Sequence, residues 1–189
     1  HQHEQERNRM KERASGGDFQ FFDLKDMGIN ARFETDDLWG GILSYGVEWH
    51  RESLLSGGYK FDDNEIKLSD LVQGPLAADA HYNRLAFYLS DSVKFESGWT
   101  LEPGIRFAAI RAELDRYYLK NNDVSTIQNT ESKNYNELIG SIRASKNFGE
   151  DKFFFVGLSQ GFRPPSLYDL SSTDETSAIE KPNTKLEPE

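Results

Sequence analysis

Histidines, clustered carboxylates, arginines and serines are the residues here with chemistry to offer, and their spacing speaks against most of it. His1 and His3 have the i, i+2 spacing of a metal pair, but they sit in a ragged polar terminus that is expected to be disordered. Asp62, Asp63 and Glu65, like Asp174 and Glu175, offer the oxygens that calcium takes. Neither run has the ordered D-x-D-x-D-G spacing, so both read as solvated loop charge. Ser166 and Ser171 have no histidine nearby in sequence, and no H-E-x-x-H occurs. With no cysteine, disulfides and thiolate metal sites are ruled out. The expectation is therefore no enzyme, no cofactor and no resident metal. Three basic side chains remain, Arg163, Arg111 and His50, as candidates for contact with an anionic ligand or a second body in an enclosed interior.

What positions them is a set of strands, because the apolar side chains recur with period two. From Trp39 the odd positions run Trp39, Gly41, Leu43, Tyr45, Val47 and Trp49, against Ile42, Ser44, Gly46, Glu48 and His50. Leu85, Phe87, Leu89 and Val93 continue on odd parity, as do Trp99, Leu101, Ile105, Phe107 and Ala109. Later the parity becomes even, with Leu138, Gly140, Ile142 and Ala144, then Phe154, Val156, Leu158 and Phe162. A weaker first strand carries Met27, Ile29, Ala31 and Phe33. One face of each strand is greasy and the other small, polar or charged.

Short and long connections alternate. Residues 34–37, 96–98 and 147–151 read as tight turns; 1–17, 53–80, 115–134 and 164–189 read as long polar loops. Structureless loops of that length are uncommon in compact soluble domains. They are expected at the outer rim of a membrane β-barrel, whose periplasmic turns are short. Trp39 and Trp49, ten residues apart on one face, stand about 33 Å apart along the strand, or about 25 Å vertically at roughly 40° of tilt, the height of an apolar band between aromatic girdles. The runs extend for about 15 residues, against about five or six in a sandwich. A formal net charge of -10 argues against nucleic acid as a partner. The fold class expected is all-β, an antiparallel up-and-down transmembrane barrel segment of about six strands. Six strands do not close a barrel whose smallest membrane form has eight, so residues 1–189 are expected to be part of a larger barrel domain.

Two phrases near the end resemble a known family. FFFVGLSQGFRPPSLYDL, residues 153–170, contains Gly161, Phe162, Arg163, Pro164, Pro165, Ser166 and Leu167; KPNTKLEPE, residues 181–189, contains Pro182, Asn183, Leu186, Pro188 and Glu189. They resemble the paired YSQGFRAPSL-like and NPNLKPE-like phrases in the barrels of TonB-dependent receptors. YGVEWHRE from Tyr45, and RLAFYLSDSVKFESGWTLEPGIRF from Arg84, are similar to the same family's strand and hairpin phrases. The resemblance implies a barrel of about 22 strands in the bacterial outer membrane, filled by a plug domain. It implies uptake of a ferric siderophore or similar small ligand energised by the TonB complex through that plug, within outer-membrane lipid and lipopolysaccharide. The family's haem receptors carry a histidine between the two phrases; here none occurs between Ser166 and Lys181, which demotes haem. A passive porin-like or adhesive barrel, and a soluble secreted β-sheet binding protein, are the rival readings. On the strand itself, Pro164 and Pro165 are expected to end pairing after Phe162. Arg163, on the face of Gly157, Ser159 and Gly161, is expected to meet plug carboxylates or an anionic ligand.

Overall fold

In the computed structural model, residues 2–10, 16–36, 40–115, 117–121, 124–128, 130–149, 152–173 and 183–189 are described. They form ten strands and one helical turn: β1 (Gln2–Met10), β2 (Gly17–Asp36), β3 (Ile42–Phe61), β4 (Lys67–Asp70), β5 (Asp79–Lys94), β6 (Trp99–Asp115), β7 (Tyr117–Asn121), β8 (Val124–Gln128), β9 (Glu131–Phe148), β10 (Lys152–Ser159) and α1 (Leu167–Ser171). The main sheet runs β1-β2-β3-β5-β6-β9-β10, every ladder antiparallel, with β4 added to the end of β3; β7 and β8 form a separate hairpin. The sheet curls as a half-barrel, and among the described residues β1 and β10 are its two edges. The all-β, up-and-down architecture expected from period two is therefore the one observed.

Register explains the parity switch. Val47 pairs with Phe87, Phe87 with Phe107 and Phe107 with Leu138, so the step from β6 to β9 joins odd positions to even ones while keeping the same face. Tyr45, Leu89 and Ile105 form the adjacent row, and Leu101, Ala144 and Val156 a lower one. Nothing covers this apolar face among the described residues: Phe87 is 51% exposed, Leu138 56% and Leu158 76%. For a soluble sheet this would be a large aggregation surface; in hydrocarbon it is the stable state. Trp39 lies outside the described residues, but Trp99 marks the lower edge, with its ring 6.2 Å from Phe154 and edge-on to it. Ala109, ten residues up the same strand, pairs with Leu85, which pairs with Trp49, so the band has the height expected.

The lower turns are tight because glycine supplies the conformation they need. Gly98 (φ +80°) and Gly149 (φ +72°) are left-handed, a region that costs an L side chain energy. Between β5 and β6 the ladder skips from Ser90↔Gly104 to Val93↔Leu101, where Pro103 has no N–H to give.

The long connections depart from expectation. Residues 1–17 do not form a loop only: β1 pairs along the upper half of β2, from Gln2↔Lys25 to Met10↔Gly17, and β2 begins ten residues earlier than its apolar set at Met27. His1 lies outside the described residues. Nor are residues 53–80 unstructured, since β3 continues to Phe61 and β4 pairs with it. The segment 115–134 contains the β7–β8 hairpin, and β6 and β9 stay paired up to Leu114↔Glu131. Period two fails in these upper extensions because both faces are engaged. Residues 71–78, α1 and the C-terminal stretch fold over the polar-parity face and bury Leu54, Leu76, Ala80, Tyr82, Ile110, Leu114, Tyr135, Leu167 and Leu170. Burying a leucine stabilises by about 1.5–3 kcal/mol, which offsets the entropy of ordering these segments.

Candidate functional site

Below that covered zone the polar face is an open hollow of about 470 Å³, walled by Arg32, Glu34, Ser44, Glu102, Ser141 and Arg143 among others. The strands place its charges in opposite pairs: Arg106 to Glu48 at 2.6 Å, Arg143 to Glu102 at 2.5 Å, Arg84 to Glu52 at 3.3 Å and Arg32 to Glu34 at 2.5 Å. Paired in this way, the face is strongly hydrated yet close to neutral, and each guanidinium already has its carboxylate. Small residues make the room. At Gly46 a Cβ would lie 2.3 Å from the Ala31 carbonyl oxygen and 2.5 Å from the Tyr88 hydroxyl, so Tyr88 lies across it. At Gly28 a Cβ would meet the His50 ring at 2.6 Å.

The three candidate side chains are not brought together. His50 stands on the polar face with its Nδ1 3.9 Å from Asp26 Oδ1. Arg111 follows Ala109 at the same parity, so it stands on the apolar side of the sheet, where its Nη2 lies 2.5 Å from Glu113. Arg163 lies beyond the strand altogether. β10 ends at Ser159, and only the Gln160 N–H donates one more ladder bond, to Gly140 O at 3.0 Å. Pairing therefore stops before the prolines, which corrects their expected role as its terminators. What Pro164 and Pro165 precede instead is α1, whose N-cap is Ser166.

Around that cap the two family-like phrases meet. Arg163 N–H donates to Glu189 O at 3.0 Å and Glu189 N–H donates back to Arg163 O at 3.1 Å. The Arg163 guanidinium lies 3.5 Å from Asp169 and 3.5 Å from Glu189. The Tyr135 hydroxyl donates to Leu186 O at 3.3 Å, and Asn183 Oδ1 accepts from Lys185 N–H at 3.1 Å. Pro165 and Leu167 are buried and Phe162 packs against the core, whereas Gly161 is exposed and Pro188 half-buried. Pro182 lies outside the described residues. In α1 the Ser166 hydroxyl accepts from Asp169 N–H at 3.2 Å while Asp169 accepts from Ser166 N–H at 3.0 Å, a capping box. The Ser166 N–H, opposed by partial burial and assisted by the Ser166 hydroxyl and Arg163, holds the Asp169 carboxyl below its ordinary pKa. Ser171 completes the clasp: its Oγ accepts from Ala77 N–H at 3.1 Å, and its carbonyl accepts from Gln73 Nε2 at 3.2 Å. Asp169 and Ser171 as anchors were missed in the sequence; the Ser-x-x-Asp spacing from Ser166 is the signal that marks the first.

Two further patterns resolve structurally. Asp62 accepts from the N–H groups of Asn64 and Ile66 at 2.9 and 2.8 Å, and Asp63 accepts from Gly16 N–H at 2.6 Å, so these carboxylates tie turns. No G-x-S-x-G elbow is expected from the sequence, although Gly157 to Gly161, GLSQG, fits the bare pattern. A nucleophile elbow is a sharp strand-to-helix turn. Here Ser159 is the exposed last residue of a strand and the next helix begins at Leu167, so the match carries no elbow.

No helix among the described residues is long and apolar enough to cross a membrane. A family model described as "TonB dependent receptor-like, beta-barrel" matches residues 4–189, nearly the entire chain. No curated protein matches it.

Proposed function

Because the chain belongs to the TonB-dependent receptor-like β-barrel family, we propose that it forms part of an outer-membrane receptor that actively imports a scarce nutrient, with a ferric siderophore as cargo. The observation that carries this reading is the two-sidedness of one continuous sheet: an uncovered apolar band about ten residues tall on one face, and paired charges with a polar hollow on the other. Apolar outside and wet inside is the inverse of a soluble barrel and the pattern of a membrane one. The polar face is then the lumen, lined by Glu48, His50, Arg106, Glu102 and Arg143. Energy arrives through TonB by way of a plug domain beyond this stretch of sequence. Arg163 serves the clasp at the outer rim, while His50 faces the lumen four residues below Leu54 on the same strand. The absence of a histidine between Ser166 and Lys181 favours a siderophore over haem.

The test is uptake of radiolabelled iron by cells carrying the full-length receptor, supplied as ferric siderophores of the hydroxamate, catecholate and carboxylate classes, with and without functional TonB. Saturable uptake of at least one class that collapses without TonB is the expected result. Uptake that persists without TonB, or general leakage of small solutes with no saturable cargo, makes the protein a passive pore and overturns the proposal.

A further inference from the structure

At the upper edge of the apolar face the register assembles a row of polar residues that no single strand reveals. Above Trp49, Leu85 and Ala109, the next row on the same side is Met27, Arg51, Asn83, Arg111 and Asn134. It lies two residues up each strand, about 6.6 Å along it and about 5 Å vertically, at the end of the sheet that carries the long connections. Asn83, Arg111 and Asn134, with Trp49 and Leu85 below them, line a shallow groove of about 430 Å³ that opens on the apolar side. Asn134 and Arg111 are exposed, and Arg51 is half-exposed with no ion pair among the described residues. Glu113 beside Arg111 is the one carboxylate in the next row, where Lys25 and His81 also stand. Asp23, Asp79 and Asp115 share a higher row, about 13 Å along the strand from Arg51, beyond the roughly 8–10 Å over which salt leaves charges coupled.

We infer that Arg51, Asn83, Arg111 and Asn134 form a binding site for the phosphorylated headgroup of an outer-leaflet lipid. Two guanidinium groups and two side-chain amides present donors to a planar or tetrahedral anion, and guanidinium pairs with phosphate through two parallel hydrogen bonds. The site is continuous with Leu85, Phe87, Phe107 and Leu138, along which acyl chains lie, and this continuity selects a lipid over a soluble phosphate. Trp49 stands at the joint between the two, where an amphipathic ring suits a headgroup boundary. The inference rests on the membrane-spanning reading and not on the cargo, so loss of lipid binding with intact iron uptake, or the reverse, separates the two.

The full-length receptor, delipidated in detergent, is titrated with bis-phosphorylated lipid A and observed by native mass spectrometry. Dephosphorylated lipid A and inorganic phosphate are the other arms. The wild type is expected to hold lipid A, and R51Q/R111Q to bind it at least about tenfold more weakly, since charge-assisted bonds are lost. R51K/R111K, which keeps the charge, is expected to fall between them. Heat-modifiable mobility confirms the fold of each variant; should R51Q/R111Q not fold, N83A/N134A is expected to weaken binding several-fold. Equal binding by the folded variants, equal binding of the dephosphorylated lipid, or displacement by inorganic phosphate at equal concentration overturns the inference.

Discussion

Replacing Leu89 by arginine tests the geometry on which the functional reading stands. Leu89 is 44% exposed on the apolar face, between Tyr45 and Ile105, so an arginine there clashes with nothing and in water would cost no more than about 0.5 kcal/mol. Its depth is what matters. Phe95, whose N–H donates to Trp99 O at 2.8 Å, marks the lower edge of the band. Leu89 is six residues above it, about 20 Å along the strand and about 15 Å vertically at roughly 40° of tilt, within about 3 Å of the middle of a 25 Å apolar layer. An arginine at the midplane of a membrane barrel costs about 2–4 kcal/mol, falling to about 0–1 near the interface. Leu85, ten residues above Phe95, is at the interface. Denaturant unfolding of the full-length barrel in lipid vesicles, followed by tryptophan fluorescence, is expected to show L89R destabilised by about 2–4 kcal/mol and L85R by about 1 or less. Ser90→Arg, on the lumen parity next to Leu89, is expected to cost under about 1 kcal/mol. Equal costs at Leu89 and Leu85, or a greater cost at Ser90 than at Leu89, would refute the assignment of faces.

Ser166→Ala removes the α1 N-cap and is expected to weaken local protection by about 1 kcal/mol, read as faster amide exchange over 167–172 with slow exchange retained in β5 and β6. Since the Asp169 carboxyl is held below its ordinary pKa, its contribution is complete above about pH 4 and is lost as pH falls through the folded value; exchange at α1 should accelerate only on that acid side. A double-mutant cycle on Glu48 and Arg106, 2.6 Å apart and each partly exposed, is expected to return a coupling of about 0.5–1 kcal/mol that shrinks with salt. Gly46→Val forces Tyr88 aside and crowds the Ala31 carbonyl, with an expected loss of about 1–3 kcal/mol in the same unfolding assay; a neutral result would show that β2 and β3 can shift together.

The lower two-thirds of each long strand was legible in the sequence, because side-chain alternation is a local property of extended backbone and one side of the sheet meets a single kind of solvent. Trp49, Phe87, Phe107 and Leu138 declare that side by type and parity, and even the odd-to-even switch before Leu138 was visible without knowing that Phe107 is its partner. The upper third was not legible. There α1 and residues 71–78 cover the second face, so Leu54 and Leu55 are both apolar neighbours and alternation disappears. Register is likewise non-local: parity inside β6 puts Arg111 with Ala109, but only the pairing of β3, β5, β6 and β9 gathers it with Arg51, Asn83 and Asn134. Sequence determined which residues alternate and where the chain turns; tertiary structure alone decided which of them become neighbours, because ladder pairing and loop docking join positions too far apart along the chain for any local pattern to encode.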